Sequence, residues 1–442
     1  ELFAQRRAES GDAATCERIC RDLLKSEDDQ AICAGLTQLV ALLGQKAFPE
    51  VLLAMDSSRA DVRGAALKLN SVFPGVEATE AWMKKAKEVP PAVRMEVLGM
   101  LAERGDMTVY PMLYAAAHDP DKTIRLAGVA CLTKVAGAET LPSLLDALRM
   151  ARDDDEFPAL KNALLRCRDS RTTNMAASSL PTLPPAAQKV LLSVLSARRA
   201  SEHAEVVFAF TNNADAGVRL AAIEALGGVG GMKDTPRLVE LVLRDQSEED
   251  RTAGFKSLVA ALKQTPNTED RIEPLLKALA QAPNDSKVVL IPALPQLGGA
   301  KALENAVVRT TSNEPAVRDA AIKAVCAWTD PIALPALIAL LGSVTEPDYQ
   351  SLAMDAYIRI VRGSSLSDAD KAAKYKEAMD AAKRPEEKKA VLGGLAEIQH
   401  MDALNRVAPY MDDPELKADA SAAVVKMVCP GKDKKRAIVG DI

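Results

Sequence analysis

The groups in this 442-residue chain that could do catalytic or metal chemistry are three histidines, seven cysteines and a few acidic clusters. His118, His203 and His400 lie far apart. A helical zinc site needs His-x-x-x-His or His-Glu-x-x-His, which puts two imidazoles on one face, and neither spacing occurs. Each histidine is therefore read as a solvated or helix-capping side chain. Cys16, Cys20, Cys33, Cys131, Cys167, Cys326 and Cys429 are odd in number and sparse, which is no disulfide framework. Most fall on apolar helix faces, where a free thiol packs as a small hydrophobe. A Cys20–Cys33 bridge across a helix pair is the alternative for the first cluster. A metal site there lacks a fourth ligand.

The acidic runs Asp153-Asp154-Asp155-Glu156, Glu248-Glu249-Asp250 and Asp412-Asp413 stand at helix starts or turns, where carboxylates complement the helix dipole. The first lacks the spaced ligands and central glycine of an EF-hand loop. Gly227-Gly228-Val229-Gly230-Gly231 follows a helical stretch, where glycine is a stop signal. No Gly-x-x-x-x-Gly-Lys-Ser/Thr loop and no Gly-x-Ser-x-Gly elbow exists. The sequence therefore predicts no catalytic, cofactor or metal residues, and a chain that is not an enzyme.

One polar motif does recur. Val-Arg-x-x-Ala or a near variant carries Arg63, Arg94, Arg125, Arg219 and Arg318, at steps of 31, 31, 94 and 99 residues. Degenerate copies fall near Gln188, Arg251, Lys287, Gln350, Lys388 and Lys417. These arginines are expected to form a structural ladder. Asp61, Asp121, Asp215 and Glu314 are the acids near the same turns.

The elements that position this ladder are helices. Pro49, Pro111, Pro142, Pro236, Pro274 and Pro335 each precede an apolar pair in the helix before the arginine helix. Pro91, Pro120, Pro185, Pro283, Pro315, Pro347, Pro385 and Pro414 are expected to open the second helix, where a missing N–H costs nothing. Asp119, Glu314, Glu346 and Asp413 stand just before four of them as candidate caps. Each unit is a helix pair of about 31 to 38 residues, and the chain holds about 13 pairs that share one continuous core.

Composition agrees. Hydrophobic residues make up 48% but aromatics only 3%, so Ala, Leu and Val build the interior. Ala and Leu are strong helix formers, whereas sheets favour β-branched and aromatic residues. Net charge is −5 with both signs abundant, so a general nucleic-acid binder is disfavoured. The positions six after each motif Val or Ile, expected to face outward, are Lys68, Gly99, Ala130, Glu224 and Lys323, and share no sign. No apolar run reaches the roughly 18 residues of a membrane span. Among the scarce aromatics, Trp328, Tyr349 and Tyr357 are candidate partner contacts if exposed, and core fillers otherwise. The chain begins at Glu1, as a processed chain or a segment of a longer one would.

The Leu-Pro-x-Leu-Leu helix followed by the Val-Arg-x-x-Ala helix resembles HEAT repeats, of the armadillo-type α-solenoid class, especially the short bacterial kind. The resemblance implies an all-α, right-handed superhelix with second helices on the concave face and arginines paired to acids of neighbouring units. It spans 1–430, more regular at 47–137, 203–230 and 300–343, degenerate at 153–200 and 240–297. Residues 431–442 read as a polar tail or linker. Residues 389–427 also resemble HEAT segments of bacterial multidomain proteins with a β-sandwich domain related to 3-keto-glycoside hydrolases. The expected function is a protein-interaction scaffold whose partner is a separate protein or an adjacent domain. The alternatives are an accessory region of such a carbohydrate-active protein, a nucleic-acid-binding solenoid, or a bilin-lyase-type helper. The multidomain resemblance leans towards a periplasmic or exported protein.

Overall fold

The computed structural model describes residues 12–135, 140–167, 170–244 and 247–428. Cys429 and the tail 431–442 lie outside them. Among the described residues every regular element is helical, and the helices fall into thirteen consecutive pairs. The chain divides into two compact units, 1–225 and 226–442, with the boundary inside the helix Ala216–Val229. Each unit is a solenoidal stack in which successive pairs pack on one another.

Local sequence sets the helix ends. Pro91, Pro185, Pro315, Pro347 and Pro385 are the first residues of their helices. Pro283 instead occupies an N-cap, and Pro120 and Pro414 stand in turns two and three residues before their helices begin. Short polar side chains cap other starts: Asp28 accepts from Gln30 N, Ser247 from Asp250 N and Asn267 from Glu269 N. Glu314 and Glu346 hold N-cap positions without a side-chain cap bond. The recurrent proline of the first helices marks a change of helix type. Pro49, Pro111, Pro236 and Pro335 sit in the first α-helical turn directly after 3-10 turns at Gly44–Ala47, Met107–Val109, Met232–Asp234 and Pro331–Ala333.

The degenerate stretches 153–200 and 240–297 still fold as helix pairs. One is distorted: its first helix carries Pro274 in its interior, and its second breaks at Ile291-Pro292 into Asn284–Leu290 and Ala293–Leu297.

The interior is aliphatic, with Phe73, Trp82, Phe208, Trp328, Tyr357 and Tyr375 buried in it. Phe48, Phe73 and Trp82 form one ring cluster, with Phe48–Phe73 centroids 4.7 Å apart. Helices approach closely where glycine allows it. A Cβ on Gly128 would lie 2.3 Å from Ala117 N and 2.6 Å from Ala116 C, and one on Gly394 would lie 2.6 Å from the Tyr375 ring.

One expectation fails on length. The helical run Asp29–Asp56 is long and apolar enough to cross a membrane, although only by length and composition. It turns at Gly44, φ 56°, and Leu36, Leu39, Ala47, Val51 and Met55 are fully buried against neighbouring helices.

Candidate functional site

The five motif arginines share one station: each is the fourth residue of its helix. That places the guanidinium beside the turn that joins the two helices of its own unit. Arg63 donates to Ser57 O at 2.9 Å, Arg125 to Asp119 O at 3.0 Å, Arg219 to Asn213 O at 3.1 Å and Arg318 to Ser312 O at 3.1 Å. In all four the acceptor lies six residues back. Arg94 reaches Ala86 O at 3.0 Å. Gln188 and Gln350, two degenerate copies, do the same with an amide, to Leu180 O and Val344 O. The station therefore needs a long donor more than a charge, because what it satisfies are carbonyls left free where the first helix ends.

The charge acts between units, but not with the acids expected. Arg63 makes a two-pronged pair with Glu96, at 2.9 and 2.8 Å. Arg94 lies 3.7 Å from Asp119, and Arg125 pairs with Glu156 and with Asp153. All these carboxylates belong to the following unit. Asp121 and Asp215 instead accept backbone N–H groups at the start of their own helices. A carboxylate just ahead of a helix already faces free N–H donors, so it caps. Glu156 is itself buried, and it gains N–H bonds from Arg152 at 2.7 Å and Asp153 at 3.4 Å. Burial alone would raise its pKa; those N–H bonds and Arg125 outweigh it and hold the group below the usual carboxylate range.

A second set of polar contacts has no repeated sequence motif. Near the end of a second helix, a long side chain reaches back to the terminal carbonyls of the preceding second helix. Arg198 donates to Leu164 O and Cys167 O, Gln264 to Gly227 O, Gly228 O and Gly230 O, and Arg359 to Cys326 O and Trp328 O. Arg104 likewise bonds Phe73 O and Gly75 O. The glycine-rich segment after Leu226 is thus a helix end that presents carbonyls, not a phosphate cradle. The only sequence signal for this row is a long donor near each helix end, at offsets too variable to stand out.

Two of the three aromatic candidates are core fillers. Trp328 is 1% exposed and Tyr357 0%, so neither can meet a partner in this structure. A large ring is driven inward by the apolar area it removes from water. The Tyr357 hydroxyl donates to Lys374 O at 3.0 Å. Tyr349 is half-buried and bonds Asp319 at 2.9 Å. The described cysteines are all free, so Cys20 and Cys33 are not bridged; Cys20 is buried beside Cys16, and burial pushes its thiol up to about 11. His400 caps the helix Met401–Val407, its Nδ1 accepting from Asp402 N at 3.2 Å. Of the outward positions, Lys68, Ala130, Glu224 and Lys323 are exposed and Gly99 is half-buried.

Two grooves lie between successive first helices. One, of about 360 Å³, runs between the first helices Val76–Glu88 and Tyr110–Ala117; Met83, Leu98, Met112 and Ile124 line it, with Lys87, Arg94 and Asp119 also on its walls. The other, about 410 Å³, lies between the first helices Asp368–Ala381 and Met401–Val407. One occurs in each compact unit, at the same place in the repeat.

These features define an all-α helical-repeat protein. Residues 79–164 match a family model described as HEAT repeats. No curated protein sequence matches the chain. Among solved structures it is similar to karyopherin Kap121p bound to the extreme C-terminus of the protein phosphatase Cdc14p, at 14% identity and TM-score 0.43, covering 93% of this chain and 49% of that one. It is also similar to yeast importin-β, Kap95p, at 11% identity and TM-score 0.39, covering 94% of this chain and 66% of that one. The chain thus spans about half of the first and just under two thirds of the second.

Proposed function

We propose that this chain is a non-catalytic protein-interaction scaffold that takes segments of a partner in the grooves between successive first helices. The observation that carries the reading is the pair of grooves: each combines apolar and charged side chains along its walls and recurs at one station of the repeat. Protein-binding surfaces combine an apolar centre with a polar rim. The polar groups with most chemical promise are engaged in holding turns and units together, as the Arg125–Glu156 pair is. The outward row with no common sign supports a protein partner over a nucleic acid.

Peptide-display selection on the whole chain, followed by hydrogen-exchange footprinting, tests this. Selected peptides should protect Val76–Ile124 or Asp368–Tyr410. Protection of either region by duplex DNA or oligosaccharides, with no peptide recovered, overturns it. A finer reading has repeats of the short bacterial kind, supported by the recurrent Val-Arg-x-x-Ala helix, adjoining a β-sandwich domain, supported by residues 389–427 alone. Terminal peptides of the protein purified from its source would test it by running past Ile442 or stopping there.

A further inference from the structure

The groove at 375–410 differs from its counterpart in one respect. At 83–124 the arginine is held: Arg94 donates to Ala86 O and lies 3.7 Å from Asp119. At 375–410 the arginine is Arg406, on the helix Met401–Val407. Its Nε is buried with no hydrogen-bond partner, and no nitrogen of its guanidinium has an ion pair among the described residues. Arg406 as a whole is half-buried, so one unmet donor is enclosed while the rest of the group reaches solvent. The neighbouring acids do not relieve it. Asp380 pairs with Lys376 at 3.2 Å, and Asp402 lies 3.5 Å from His400. Tyr375, Met379, Leu395, Pro409 and Tyr410 form the apolar side of the groove; the rest of its lining is polar, with Asp380 and Asp402 alongside Lys376 and Arg406. At about 410 Å³ the groove falls within the range of ligand pockets, roughly 300–1,000 Å³.

We propose that Arg406 anchors a carboxylate of an acidic peptide segment, with an adjacent apolar side chain of that segment seated against Met379, Leu395 and Tyr410. This rests on the scaffold reading and gives it a partner chemistry. The guanidinium fork matches a carboxylate with two parallel bonds, a geometry a lysine cannot reproduce. Tyr410 stays protonated at neutral pH, since burial and the acids Asp380 and Asp413 raise its pKa against Lys376, and its hydroxyl is a further donor at the groove.

The test uses the full chain and two fluorescein-labelled peptides of alternating leucine and glutamate, or leucine and glutamine, read by anisotropy. The glutamate peptide should bind about tenfold or more tightly than the glutamine one. Arg406→Met should abolish that preference, and Arg406→Lys, which keeps length and charge, should lose most of it. Circular dichroism of both variants checks folding. Equal binding of the two peptides, a preference that survives Arg406→Met, or no binding at all would overturn the proposal. In the first two cases, protection still mapped to either groove leaves the scaffold reading standing; protection at neither groove removes both.

Discussion

Arg125→Met is the sharpest perturbation of the ladder. Arg125 and Glu156 are 9% and 4% exposed, so the pair is largely out of water. The substitution keeps much of the side-chain bulk but removes the partner of a buried carboxylate, leaving Glu156 with only the Arg152 and Asp153 N–H groups. Breaking such a pair from one side costs about 3–5 kcal/mol. The Asp153 contact adds little, because that carboxylate is 42% exposed. The loss should be local, since a repeat array is stabilised by neighbour interfaces. Amides in Lys122–Leu132 and Glu156–Arg166 should lose protection by roughly 10²- to 4 × 10³-fold in hydrogen exchange. The pH dependence has a definite sign. Glu156 is depressed when folded, so its contribution is present above its unfolded value, about 4.3, and lost as pH falls through the folded one. The gap between wild type and variant should therefore be full at neutral pH and shrink in acid. Arg125→Met with Glu156→Met should recover part of the loss, because no charge is then stranded, although Asp119 O and the Arg152 and Asp153 N–H groups still lose their partners. A loss under about 1 kcal/mol, or a double variant no better than the single, would refute the account.

Three further outcomes follow from particular contacts. Gly128→Ala should destabilise by about 1–3 kcal/mol or more, because its Cβ meets the backbone of Ala116 and Ala117, whereas Gly99→Ala, which meets nothing within 4 Å, should stabilise by about 0.5–1 kcal/mol; urea unfolding of both checks the contrast. Arg359→Met should cost about 1–3 kcal/mol and expose amides at the end of Pro315–Cys326 to exchange, since two carbonyls lose their donor. In thiol labelling of the native chain, the half-buried Cys33 and Cys167 should react ahead of the buried Cys16, Cys20, Cys131 and Cys326, the last held at about 12 by burial; mass spectrometry of labelled peptides reads the order.

The class of fold and its rhythm are legible in one dimension. Helix starts, helix stops and the fourth-residue station of the arginines depend on neighbours a few residues away: proline without an N–H, Ser or Asp over free donors, Ala and Leu in between. Such signals survive in one dimension, which is why the chain reads as about 13 pairs and thirteen are found among the described residues. Partners across units are not legible in this way. Arg63 meets Glu96 and not Asp61 because the following unit packs its second helix beside it, 33 residues on, a register that only stacking fixes. Burial was equally a tertiary matter: Trp328 and Tyr357 look like Tyr349 in composition, yet two are enclosed by neighbouring helices and one is not. The backward-reaching row of Arg104, Arg198, Gln264 and Arg359 left no regular trace, because its donors sit at different offsets and meet in space at the helix ends. Arg406 in turn reads as one more surface cation until the packing of two first helices encloses its Nε and leaves it without a partner.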